Sequence, residues 1–291
     1  MGYGPHEHLV APARASARLR RLAAGCVAIC VIFVLFSLVF SSFQSALWSP
    51  EFGAEFQTAS TPASALVSLF FFGVLILSVW LTLWLFHSRS LLSLLGPLRP
   101  GLRQFRLSLL ALVPIYAILM LLPAPADFEV SLNMAFGLWL LLLPLGLIGL
   151  LIQVAAEEFL FRGYLQSQLA ARFSTPLIWI GVPSALFALL HYDTGLAGDH
   201  AWMVVLWAGA FAAAAADLTA RAGTLGPAIG LHLVNNFSAI LIAAPEGNFD
   251  GLALYSYPFT LADLDVMAAL MPVEMMLLLC SWLAIRLALR C

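Results

Sequence analysis

Apolar runs of about 20 residues, each enough to cross about 30 Å of hydrocarbon as a helix, recur from one end of this chain to the other. In lipid the backbone of each run must satisfy its own N–H and C=O groups, which a helix does. Of 291 residues 63% are hydrophobic and only 10% charged, against about a quarter charged in soluble domains. The sequence therefore predicts an all-α polytopic membrane protein with no room for a separate soluble unit.

Eight transmembrane spans are expected, at 22–43, 64–86, 107–123, 132–156 with a continuation to 172, 176–191, 201–217, 225–244 and 265–286. The first follows a basic tail, yet it is longer than the roughly 7 to 15 residues of a signal-peptide core and no small-x-small cleavage site follows, so it reads as a retained helix. Gly2 does not make a myristoylation signal, because His6 stands where that motif wants Ser or Thr. The chain divides into a basic tail at 1–21, N-terminal membrane helices at 22–131, a membrane core at 132–245, and a loop with a last helix at 246–291. Cys26, Cys30, Cys280 and Cys291 form no metal or redox pattern, and a net charge of −2 with no basic patch argues against nucleic-acid binding.

The span count has an internal check. All thirteen basic residues are arginines, and every one falls on the same side of the eight spans. The loops on the other side carry Glu51, Glu55, Asp127, Glu129, Asp193, Asp199, Glu246, Asp250, Asp263 and Asp265. By the positive-inside rule the arginine side is cytoplasmic, with both termini in the cytosol. The arginine-only, alanine- and leucine-rich composition suggests a bacterial inner membrane.

Ionisable residues inside spans cost about 2.5 to 3.5 kcal/mol each when central, so they mark function. Three clusters stand out: Glu157, Glu158 and Arg162; His191, preceded by Phe187; and His232 with Asn235 and Asn236. Ser174, Thr175 and Pro176 mark a turn between spans 4 and 5, and Glu157 and His191 stand equally far from it, so an antiparallel pair sets them level. His232 lies roughly 13 Å beyond the break at Gly223, which lets all three clusters share one depth in the cytoplasmic half. Glu158 and Arg162, four residues apart, pair on one helix face. Glu157 is turned about 100° away, free of the arginine, and is the better general base. His232 and Asn236 share a face and can both donate hydrogen bonds to an oxyanion.

These clusters resemble the motifs of the CAAX-protease and bacteriocin-processing (CPBP, or Abi) family of intramembrane proteases: EExxxR at Glu157–Arg162, FxxxH at Phe187–His191 and HxxxN at His232–Asn236. The resemblance covers roughly residues 135 to 245 and includes Phe161 and Gly163 beside the arginine. It implies an eight-helix membrane endopeptidase that hydrolyses a peptide bond of a membrane-associated protein or peptide. Glu157 and His191 would activate water, Glu158 and Arg162 would brace the site, and His232 with Asn236 would stabilise the oxyanion, in a site open to the cytoplasmic side. The family has also been described as metalloproteases, with Glu157, His191 and His232 as the residues able to ligate zinc. No HExxH motif is present and an Asn beside His232 suits an oxyanion hole better, so no cofactor is expected.

Two other functions compete: an inactive membrane scaffold or immunity protein whose polar groups only hold helices and a partner, and a proton-coupled transporter, for which duplicated halves are not evident. Elsewhere, Asp217 and Arg221 are expected to form a local ion pair, His6 and His8 to be solvent-exposed, and Trp48, Trp80, Trp84, Trp179 and Trp202 to anchor the interfaces. Glu274, a carboxylate at membrane depth on span 8, is expected to line a substrate cavity or to pair with another helix.

Overall fold

The computed structural model describes residues 2–121 and 128–291, with the side chains of 45–47 and 50 left aside. The end of the third expected span at 122–123, and Asp127, lie outside the described residues. Nine helices are labelled here: α1 (Leu19–Leu47), α2 (Pro50–Thr58), α3 (Pro62–His87), α4 (Leu98–Leu121), α5 (Phe136–Ala170), α6 (Pro176–Leu189), α7 (Ala201–Ala222), α8 (Gly226–Ile242) and α9 (Leu264–Leu289).

The chain is an all-α polytopic membrane protein, but its helices divide into two classes. Six (α1, α3, α4, α5, α7 extended back to Thr194, and α9) are long and apolar enough to cross a membrane. The fifth and seventh expected spans are the shorter apolar helices α6 and α8, which reach only roughly 21 and 26 Å. Both carry motif residues.

Local signals in the sequence set many ends. Thr61 and Ser64 form a reciprocal capping box with Pro62 in the first turn, which starts α3. At the start of α6, Thr175 is extended and Pro176 opens the helix, but the Thr175 side chain makes no capping bond. Gly223, at φ 70°, closes α7 in the left-handed region that glycine adopts without strain.

Helix α7 is the central post. Half of its most apolar window is buried, against 11 to 28% for the other five long helices. It packs on α6, α8 and α9, while α4 packs on α8 and α9, and α3 lies on α5. On the acid-rich side a small sheet that sequence patterning does not predict joins β1 (Ser131–Leu132), β2 (Ala243–Pro245) and β3 (Tyr255–Tyr257) in the order β1-β3-β2. The β1–β3 pair is antiparallel and the β2–β3 pair parallel.

The N-terminal tail departs most from expectation. Residues 4–16 form short helical turns folded against the arginine side, burying His6, Leu9, Val10, Ala13 and Ser16. His6 is therefore not solvent-exposed, whereas His8 is. The His6 ring lies 4.8 Å from that of Trp179, which is buried rather than interfacial. Tyr3 donates to Asp217 at 2.8 Å, and Asp217 also accepts from Trp282 at 2.9 Å and pairs with Arg221 at 2.8 Å. Gly223 makes this docking fit: a Cβ there would come within 2.2 Å of the Pro5 carbonyl oxygen.

Candidate active site

Directly after Glu158, α5 widens into a π-helical stretch, Phe159–Gln166, a deviation that often marks functional sites. The i,i+4 spacing still closes: Arg162 Nη1 donates to Glu158 Oε1 at 2.9 Å, and Nη2 donates to the Ala212 carbonyl of α7 at 3.4 Å. Both side chains are almost fully buried, at 1% and 0% exposure. The guanidinium also lies 4.8 Å from the centroid of the Phe187 ring, a favourable cation–π placement.

Glu158 serves two partners. Its Oε1 also meets His232 Nδ1 at 2.8 Å. A carboxylate oxygen can only accept here, so Nδ1 carries the proton and the ring is fixed with Nε2 pointing away. That Nε2 stands 3.6 Å from Glu157 Oε2. Glu157 Oε2 is buried and has no hydrogen-bond partner among the described residues, and the same holds for Glu158 Oε2.

The other oxygen of Glu157 is held by a residue that the sequence reading passed over. Gln153, one turn earlier on α5 and buried, donates to Glu157 Oε1 at 2.7 Å. Its own carbonyl accepts from Asn236 at 3.0 Å. Asn235 donates to Asn236 at 3.1 Å and accepts from Tyr116 of α4 at 3.4 Å. Asn236 thus reaches Glu157 through Gln153, within a chain of side chains that runs from Glu157 to Tyr116. The i,i+4 spacing of Gln153 and Glu157 was visible in the sequence, but an uncharged amide gives no alarm of the kind a buried charge does.

His191 joins through Phe187. Its Nδ1 meets the Phe187 carbonyl at 2.8 Å, so that nitrogen donates and Nε2 is left bare. Among the described residues no hydrogen bond links it to Glu157 or His232. The Phe187 ring lies 4.5 Å from the His191 ring, 6.3 Å from that of His232 and 5.0 Å from that of Phe161. Phe187 is thus the apolar hub around which the two histidines and the arginine are arranged.

Among the described residues no three His, Cys, Asp or Glu side chains are grouped to hold a metal ion. His232 and His191 each commit Nδ1 to an acceptor of the protein, Glu158 and the Phe187 carbonyl, which leaves Nε2 of each ring as the nitrogen open to a proton or a ligand.

Beneath the site on the arginine side lies a second buried polar cluster, also missed from sequence. His87 bridges Ser16 and Tyr164, at 2.9 Å each. Gln168 donates to Ser16 at 3.2 Å, and Arg89 to Ser167 at 3.4 Å. The cluster ties the N-terminal segment and the end of α3 to the π-helical stretch that carries Arg162.

No curated protein and no solved structure matches the chain. Residues 138–238, which span all three motifs, match the family model described as type II CAAX prenyl endopeptidase Rce1-like, the same CAAX-protease family that the motifs resemble.

Proposed function

We propose that this protein is an intramembrane endopeptidase in which Glu157 takes a proton from water as that water attacks the scissile carbonyl, with no acyl-enzyme and no metal. The observation that carries this is Glu157 Oε2: buried, without a hydrogen-bond partner among the described residues, and 3.6 Å from His232 Nε2. Gln153 anchors the opposite oxygen, which aims the free one.

The bonds already made assign the other roles. Glu158 and Arg162 hold His232 by Nδ1. With Nδ1 held by Glu158, His232 directs Nε2 toward Glu157 Oε2 and the space beside it, from which an Nε2–H would donate to the oxyanion. His191, with Nδ1–H given to the Phe187 carbonyl, offers a bare Nε2 that can share the water's proton with Glu157. The water oxygen bonds to the carbonyl carbon, the C–N bond breaks, and the proton passes to the leaving amine. Asn236 positions Glu157 through Gln153 and lends a second donor near the oxyanion.

The arginine distribution supports a plasma-membrane protein with cytosolic termini. Packing does not favour access from that side: the N-terminal segment and the buried Gln166, Ser167 and Gln168 fill the ground below Arg162. The test of the chemistry is cleavage of a membrane-anchored reporter by Glu157→Ala, His191→Ala and His232→Ala variants that remain inserted. All three should lose activity, and cleavage by the Glu157 variant at the parent rate would remove the mechanism.

A further inference from the structure

A cavity of about 300 Å³ lies between α4, α7, α8 and α9 under the β2–β3 edge, lined by Tyr116, Trp207, Asn235, Tyr257, Met271 and Glu274 among others. It adjoins the candidate active site on two sides. Asn235 bonds Asn236, 3.1 Å away, and Trp207 stacks at 5.3 Å on Phe211, whose ring lies 4.9 Å from that of His232.

The lining is apolar with two unsettled polar groups. Trp207 Nε1 is a buried donor with no partner among the described residues. Glu274 makes no hydrogen bond or ion pair among them either. Tyr257, at the rim, has its hydroxyl pushed above the usual range by burial and then by the charge of Glu274. An ionised carboxylate in such surroundings is costly until a cation or donor reaches it. Among the described residues no arginine lines the cavity, so the cation that Glu274 calls for is sought outside the chain.

From this geometry we infer that the cavity is a specificity pocket that takes a basic side chain of the peptide substrate, with Glu274 pairing to its charge and the apolar walls covering its methylenes. Long basic side chains suit such a pocket because their stems are apolar. The volume falls at the low end for small-ligand pockets, which fits one side chain and its neighbours. The inference rests on the peptidase reading, and its substrate would meet the site from the acid-rich face.

The test uses full-length protein in detergent micelles carrying Glu157→Gln, so that nothing turns over. Two acetylated, amidated pentapeptides are compared by fluorescence anisotropy, one with a central lysine and one with norleucine in its place. Lysine should bind about tenfold or more tightly, the scale of one close charge pair, and Glu274→Gln and Glu274→Leu should each bring the two peptides within about twofold. Equal binding to the Glu274-containing protein, or a lysine preference that survives both substitutions, overturns the pocket. Hydrolysis is scored separately with Glu157 intact: lysine preference without hydrolysis keeps the pocket and removes the peptidase reading, and hydrolysis without preference does the reverse.

Discussion

Replacing Arg162 with Met should be among the most damaging substitutions in the protein. Arg162 is 1% exposed and its partner Glu158 0%. Loss of the guanidinium removes the 2.9 Å bond to Glu158, the 3.4 Å bond to the Ala212 carbonyl and the contact with Phe187. Glu158 would keep only His232 Nδ1, with its second oxygen already unpartnered. Breaking one side of a buried ion pair costs about 3 to 5 kcal/mol, whereas removing both sides costs much less. Arg162→Met should therefore lose about 3 to 5 kcal/mol, Glu158→Gln a comparable amount, and the double variant far less than their sum. Equilibrium unfolding in mixed micelles, followed by tryptophan fluorescence, measures all three. A loss under about 1 kcal/mol for Arg162→Met, with effects additive within about 0.5 kcal/mol, would refute the bracing role.

Gly25→Ala should destabilise by about 1 to 3 kcal/mol, because a Cβ there would meet the Tyr164 hydroxyl at 2.0 Å; Tyr164→Phe should rescue part of the loss in a thermal melt, and no rescue would remove the clash as its cause. Gln153→Leu should cut peptidase activity about 10- to 100-fold by loosening Glu157 and, because it strips Glu157 Oε1 and Asn236 of a buried partner, should lower stability by about 1 to 3 kcal/mol; full activity would remove Gln153 from the site. Burial holds His6 down at about 4, from an ordinary 6.5. The released tail binds the proton more readily, so docking of the N-terminal segment is strongest above about pH 6.5 and weakens as pH falls toward 4, by at most about 3 kcal/mol. Limited proteolysis at Arg18 against pH should show that release, and His6→Phe should abolish the pH dependence.

What the sequence could reveal depended on whether the relevant contact ran along one helix or between helices. Glu158 with Arg162, and Asp217 with Arg221, are i,i+4 pairs, and helical spacing alone places them. The shared depth of the three clusters follows from chain lengths between turns, but spacing could not tell that His232 would be gripped by Glu158 as well as facing Glu157. Gln153 was within reach of the same i,i+4 logic and escaped because it carries no charge. The buried His6 was out of reach, since its burial comes from Trp179 and from the close approach that Gly223 permits. The sheet was equally hidden, as strands of two or three residues hold no periodicity to detect. The expected span at 176–191 was already short and its helix stops at Leu189, whereas the expected span at 225–244 runs past Ile242 because Ala243 and Ala244, which join the sheet, are apolar too.

The most direct measurement compares parent and Glu157→Gln protein in liposomes loaded with a bacterial membrane-protein fraction, counting newly formed peptide N-termini by mass spectrometry. Glu157→Gln keeps the bulk and can still bond Gln153, but it cannot take a proton. New N-termini in the parent that vanish in the variant, with both proteins melting at the same temperature, are the predicted result. The same N-termini appearing at the same rate in both would contradict a glutamate-activated peptidase.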